Sequence, residues 1–374
     1  MKRRKYLSLY IVTVVAIFVA IMAYVRFDNS REVRRSFYLH WQRYYVVEMK
    51  SDEKHVNTTP HTDKKVALSE GQGYGMYIAA LAAERKWGHQ KDFEQLNNFY
   101  LKHRDTVNKK KTMVMSWRAI EKKGKWSIDK NSATDGDLFI AQALLLASKQ
   151  WKNKRYKNEA TALLADILRY EYNARTKTLT VGDWANFKSK YYNLMRTSDV
   201  MPEFFDNFYQ ATGDSRWLII KQTMLKRLNE LSHLHKSGLV PDFAWVTAKH
   251  AIPAKPKTVA TVNDGNFSAN ACRVPLMLAD CNDPLAQNTL KRMLKFFSKQ
   301  STVTAGYTLK GTPLNKYQSA SFSAPIFDAV TFNRNEGYDN LFMSQQYIFT
   351  RHLPTRNYYD AALTTIVALS ADRI

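Results

Sequence analysis

Only two cysteines, Cys272 and Cys281, occur in 374 residues, so no disulfide framework holds this chain together. They stand nine residues apart on a predicted helix, a spacing that suits disulfide geometry poorly, and they read as small buried apolar residues. No cluster of cysteine and histidine has metal-ligand spacing, which excludes a zinc module, and no cofactor is expected. Stretches rich in proline and glycine are missing between residues 31 and 374, so nothing splits that region into two domains. Strand signals are few. Acidic charge is also scarce: 33 Asp and Glu face 56 Lys and Arg, a net charge of +23. The basic runs at 109–111, 122–125 and 149–157 carry no nucleic-acid reading motif. They read as solvated surface, or as a surface that attracts anionic lipids or cell-wall polymers.

What is present begins at the N-terminus. Lys2, Arg3, Arg4 and Lys5 precede an uncharged run over 6–25, closed by Arg26. Twenty apolar residues match a bilayer, whereas the apolar part of a cleaved signal is usually about 7–15 residues. The alanines near position 20 lack the small partner that a cleavage site needs. The expectation is a transmembrane signal anchor over 1–26 with a cytoplasmic basic tip, then a short polar linker over 27–35. The remainder would lie outside the cell at the membrane, or be secreted if the segment is cleaved.

Beyond the linker the chain reads as helices, at 31–49, 72–87, 92–104, 136–151, 156–172, 199–211, 214–234, 268–279, 284–300, 319–331, 338–349 and 357–371. Strongly apolar helices tend to alternate with amphipathic ones. About twelve helices in buried–exterior pairs suggest an all-α (α/α)6 barrel over 36–374. Loops before the inner helices would line one open face.

Two helix starts share one design. Ser69-Glu70-Gly71-Gln72 and Thr134-Asp135-Gly136-Asp137 each offer a hydroxyl cap and a residue three places on to close a capping box. Glu70 and Asp135 then occupy equivalent first-turn positions, facing the open end. Two carboxylates so presented among 8 Trp, 21 Tyr and 19 Phe suit acid/base chemistry on a sugar. Taken singly, each carboxylate also suits a plain first-turn residue, and Asp137 reads as a cap. The carboxyl of Glu70 must keep its proton near neutral pH, and Asp135 is the natural negative charge to raise its pKa.

These segments resemble glycoside hydrolase family 8 over nearly the whole chain after the linker. Ala67-Leu68-Ser69-Glu70-Gly71-Gln72-Gly73-Tyr74-Gly75-Met76 is similar to the family's SEGQxYGM segment, and Ala133-Thr134-Asp135-Gly136-Asp137 continues into its second signature. Fainter echoes are Pro241-Asp242-Phe243, Cys272-Arg273-Val274-Pro275 and Tyr358-Tyr359-Asp360. The resemblance implies an (α/α)6 barrel that cleaves a β-1,4-linked glycan with inversion, as an endo-glycosidase acting on a β-glucan or on exopolysaccharide made by the same cell. Chitosan and xylan are further substrates known in the family. It implies Glu70 as proton donor and Asp135 as the carboxylate that holds the distorted sugar. Trp117, Arg273 and either Tyr358 or Tyr359 match substrate-binding positions of the family, Tyr74 and Asn270 are expected to bind substrate beside them, and Trp184 is either a cleft aromatic or core.

One departure concerns the water activator. Many members have Asp where this chain has Asn270, and Asn cannot accept a proton from water. Asp199, which replaces a Tyr of the family pattern, and Asp264, in the turn Asn263-Asp264-Gly265, are the leading candidates for that role, with Asp242 and Glu203 behind. Each also suits a bland reading, Asp199 as a helix cap and Asp264 as a turn former. A glycan-binding protein that has lost catalysis is the competing class.

Overall fold

The computed structural model describes residues 2–49, 52–333, 336–371 and 374. Twelve α-helices occur among them: α1 Lys2–Tyr45, α2 Ser69–Glu84, α3 Gln90–Lys102, α4 Thr134–Trp151, α5 Lys154–Tyr170, α6 Pro202–Thr212, α7 Arg216–His233, α8 Val274–Leu278, α9 Pro284–Phe297, α10 Ala320–Phe332, α11 Asp339–Gln345 and α12 Tyr358–Ser370. The even-numbered helices touch in turn, and α12 closes on α2. Each odd-numbered helix packs outside one of them: α1 on α12, α3 on α2, α5 on α4, α7 on α6, α9 on α8 and α11 on α10. This is a double ring of helices, an (α/α)6 barrel.

Side-chain character explains which helix goes where. The α2 sequence is rich in Gly and Ala and is buried at nearly every position from Ser69 to Ala83. The α10 and α12 helices are likewise buried along most of their length. By contrast, α5 buries Tyr156, Ala160, Leu163, Leu164, Ile167 and Leu168, one stripe at helical spacing, and turns its charged residues to water. One large core joins both rings, with Trp41, Trp217, Tyr74 and Phe139 among its largest members.

The N-terminal expectation is corrected. Among the described residues no helix is long and apolar enough to cross a membrane. The run over 6–25 is the first part of a single 44-residue helix, and residues 27–35, expected as a polar linker, are helical within it. Its C-terminal part seats Phe37, Trp41 and Tyr45 in the core. The side chains of Lys2, Arg3, Arg4, Lys5 and Arg26 lie outside the described set.

Two other differences bear on the site. Short strands are more numerous than expected, and two of the basic runs are hairpin turns. Asn108 and Lys109 (φ 50° and 65°) join Arg104–Val107 to Lys110–Met115, while Lys123 and Gly124 (φ 51° and 76°) join Arg118–Lys122 to Lys125–Ile128. Two residues in the left-handed region match the twist of a two-residue hairpin. The eighth helix is shorter than expected, because the Asp242 carboxylate accepts from the amides of Ser268, Asn270 and Ala271 and holds them as a loop. Cys272 and Cys281 are both buried free thiols.

Candidate active site

Strand Val66–Leu68 pairs antiparallel with Arg118–Lys122, with Leu68 opposite Arg118. The chain then turns directly into α2, so Glu70 stands two residues beyond the strand and next to the hairpin that carries Trp117. The Ser69 amide donates to the Trp117 carbonyl at 3.0 Å. Glu70 and Asp135 occupy the same position in the first turns of α2 and α4. No capping box forms at either helix start, which corrects the sequence reading. The Gln72 side chain instead bonds to Val56, Lys54 and Leu96, Thr134 donates to the Thr180 carbonyl, and Asp137, wholly buried, accepts from the Met115 amide at 2.7 Å. These side chains tie the two turns to neighbouring segments, and that fixes their place at the barrel mouth.

The two turns also meet each other. A Cβ on Gly136 would lie 2.4 Å from Ser69 Oγ and 2.7 Å from the Glu70 nitrogen. Only glycine permits this approach of one backbone to the other.

Behind the carboxylates lies Arg273, fully buried at the end of a 3-10 turn, Ala271–Arg273. Its Nη1 donates to Glu70 Oε2 at 2.5 Å and to the Tyr74 hydroxyl at 2.8 Å. Its Nη2 donates to Asp135 Oδ2 at 3.1 Å, Ser198 Oγ at 2.7 Å and Asn270 Oδ1 at 3.2 Å. Arg196 binds the other oxygen of Asp135 at 2.6 Å and reaches Asp199 at 3.5 Å. The Tyr358 hydroxyl donates to Glu70 Oε1.

Burial pushes the Glu70 carboxyl above its usual range, with the Asp135 charge adding to it, while Arg273, the Tyr358 hydrogen bond and Arg196 work against it. The contribution of Asp135 is real but secondary to burial. Asp135 is shifted the other way: burial alone would raise it, yet Arg196 and Arg273 together hold it ionised. Two neighbouring carboxyls thus have their affinities for protons driven apart, the pattern that separates an acid from a permanent anion.

Both carboxylates line a cleft of about 520 Å³, with Trp117, Trp184, Asn131, Arg196, Phe243 and Asn270 among its walls. Trp117 is exposed, and the Arg118 guanidinium covers one of its faces at 4.4 Å. Trp184 meets Tyr191 edge to face at 5.2 Å. Tyr358 and Tyr359 are half-buried at the start of α12, and Tyr359 donates to the Ala269 carbonyl at 2.6 Å. Tyr74 and Arg273, expected to touch substrate, are both fully buried beneath the carboxylates and act from below.

The candidates for a water activator are corrected. Asp264 is buried and accepts from the amides of Val259, Ala260 and Thr261, so it holds a turn. Asp199 is buried behind Arg196 and its carboxyl is pushed up to about 7, chiefly by burial. Asp242 anchors the loop before α8. Glu203 lies in a different cavity. Of the described carboxylates, Glu70 and Asp135 alone line the cleft. Arg196 was not anticipated as a site residue, although its position three before Asp199 offered the signal.

A cleft across the mouth of a double helical ring, an acid with a raised pKa beside a fixed anion, and a wall carrying the exposed Trp117 and half-buried Trp184 define a carbohydrate-cleaving hydrolase. The chain belongs to glycosyl hydrolase family 8, whose profile matches residues 12–373, and it is accordingly an inverting glycoside hydrolase. It is 32% identical over 289 residues to a β-glucanase of Niallia circulans, a match covering 73% of this chain and 69% of that protein. The solved β-1,3-1,4-glucanase from Paenibacillus sp. X4 superposes with a TM-score of 0.82 at 25% identity over 91% of each chain. Rex8A from Paenibacillus barcinonensis, complexed with xylose, superposes with a TM-score of 0.74 at 19% identity over 93% of this chain and 96% of that one, a likeness of fold alone.

Proposed function

We propose that this enzyme is an endo-acting β-glucanase that cleaves internal β-1,4 linkages, with Glu70 as the general acid. The observation that carries the reading is Glu70 itself, a carboxyl with a raised pKa at the floor of a cleft, fixed by Tyr358 and Arg273. Glu70 donates its proton to the bridging oxygen as the bond to the anomeric carbon breaks, and water adds from the opposite face, losing its proton to solvent in the open cleft. Asp135, kept ionised by two guanidiniums, accepts hydrogen bonds from the sugar at the cleavage point and holds it in a distorted shape. Trp117 and Trp184 offer faces for flanking sugars. A β-glucan fits better than chitosan, because Arg196 and Arg273 offset the two cleft carboxylates and leave no acidic trough for a cationic polymer on a +23 protein. Polymers of this size do not cross a cytoplasmic membrane, so we place the reaction outside it, on a foreign β-glucan or on exopolysaccharide from the same cell.

Reducing-sugar release from mixed-linkage β-glucan, carboxymethylcellulose, xylan and chitosan tests the substrate. The glucans should be cleaved fastest, with a rapid fall in viscosity that marks internal cuts. Glu70→Gln should lower kcat by roughly 10²–10⁴-fold while the melting temperature holds. Full activity in that variant, or xylan as the preferred polymer, would overturn the assignment.

A further inference from the structure

A second cavity, of about 450 Å³, lies on the barrel axis at the end away from the cleft. All six inner helices line it. Glu84 from the last turn of α2 shows which end this is, because Glu70 sits in that helix's first turn. The protein carries a net charge of +23, yet the titratable lining here is acidic: Glu84, Glu203, Asp280 and Asp328, with Arg85 as the cation. Glu84, Glu203 and Asp280 are exposed at the rim, whereas Asp328 is 3% exposed and lies at depth. Its Oδ1 is buried and has no hydrogen-bond partner.

The nearby cations are held by carbonyls at the end of α12. Arg85 donates to the Leu369 carbonyl at 3.0 Å and 2.6 Å, and Arg34 of α1 donates to the carbonyls of Ala368 and Ala371. The C-terminal ends of α2, α10 and α12 converge on the cavity, and their dipoles favour positive charge. Among the described residues no group of carboxylates or histidines is close enough to hold a metal ion, and Phe139, Phe204 and Phe332 supply an aromatic wall. The combination suits a cation with an apolar body.

We propose that this axial cavity binds an organic ammonium ion, an alkyl diamine or polyamine, with Asp328 as the anchoring carboxylate and the three rim carboxylates as the electrostatic funnel. Apolar carbons lie against the phenylalanines, one ammonium donates to Asp328, and a second ammonium stays at the rim. Burial, reinforced by Asp280 and Glu203 and opposed by Arg34, pushes the empty-site Asp328 carboxyl up to about 8. Binding below that pH therefore releases a proton, and affinity rises from pH 6 to pH 8.5. The charged and titratable groups around Asp328 are Arg34, Tyr77, Glu84, Arg85, Glu203 and Asp280.

Isothermal titration of the full-length protein with 1,5-diaminopentane and spermidine tests this, with 1,5-pentanediol and magnesium chloride as probes lacking one of the two features. The expected result is saturable one-to-one binding of the amines, proton release at pH 7, and at least a tenfold loss in Asp328→Asn with β-glucan hydrolysis intact. Should that variant fail to fold, Glu203→Gln and Asp280→Asn at the rim should each weaken binding and reduce its salt dependence. No saturable amine binding, equal affinity for magnesium, or unchanged affinity in all three variants would overturn the proposal. Because binding is read without substrate, its failure leaves the glucanase reading untouched.

Discussion

Arg273 connects the groups on which the proposed chemistry depends, since one buried guanidinium contacts Glu70, Asp135, Tyr74, Ser198 and Asn270. Lysine could keep the charge but not the fork, so Arg273→Lys should lower kcat by at least 10²-fold, the scale of a small misplacement of reacting groups. KM should change far less, as progress curves on a soluble β-glucan would reveal. Asp135 tests the electrostatics. Its negative charge raises the Glu70 pKa, so Asp135→Asn lowers it, and Glu70 gives up its proton at a lower pH. The basic limb of the kcat/KM profile should therefore move toward acid, on top of the loss of sugar contacts, and an unmoved limb would contradict the coupling. The motif made Glu70 and Asp135 legible as a pair. It could not reveal that Asp199 and Asp264 are consumed by buried bonds, because a carboxylate's burial depends on segments distant in sequence.

At the scale of elements, the shared design of the two helix starts has a packing cause. Gly136 is present so that the first turn of α4 can rest on the backbone of Ser69 and Glu70, and a Cβ on Gly73 would likewise lie 2.9 Å from the Gly136 carbonyl. Gly136→Ala should cost about 1–3 kcal/mol of stability, the usual penalty of overpacking, and displace Glu70. Denaturant unfolding and kcat should both register it, whereas Gly124→Ala, at an open hairpin tip with nothing near its Cβ, should leave kcat unchanged and cost only the strain of its positive φ. Helices were legible because burial repeats at their own period. The hairpins that carry Trp117 were not, since their lysine-rich sequences look like charge, and Lys123-Gly124 was the one local clue. The loop before α8 was equally hidden, for it depends on Asp242.

For the whole molecule, the alternation of apolar and amphipathic helices already implied two rings, and the axial cavity could not be read because its carboxylates come from four separate stretches of chain. Acid–base balance offers a further test. Burial pushes Asp328 and Glu171 up to about 8 and Asp199 to about 7. Between pH 6.5 and 8.5 the folded protein thus holds more protons than the unfolded chain, and stability falls as pH rises. Burial, reinforced by Lys65 and His103, holds His55 down to about 4, so below about 6.5 the unfolded chain takes up one extra proton, which offsets only one of the three raised carboxyls until the unfolded carboxylates themselves protonate near about 4. Calorimetry should place the maximum melting temperature below pH 6, just above the ordinary carboxylate range of about 4, with Asp328→Asn flattening the alkaline side.

Because the turns bearing Glu70 and Asp135 touch through bare backbone, warming cannot separate those carboxylates while the barrel stands. The enzyme should possess no folded but inactive warm state, and heat inactivation should trace the same curve as the loss of helix.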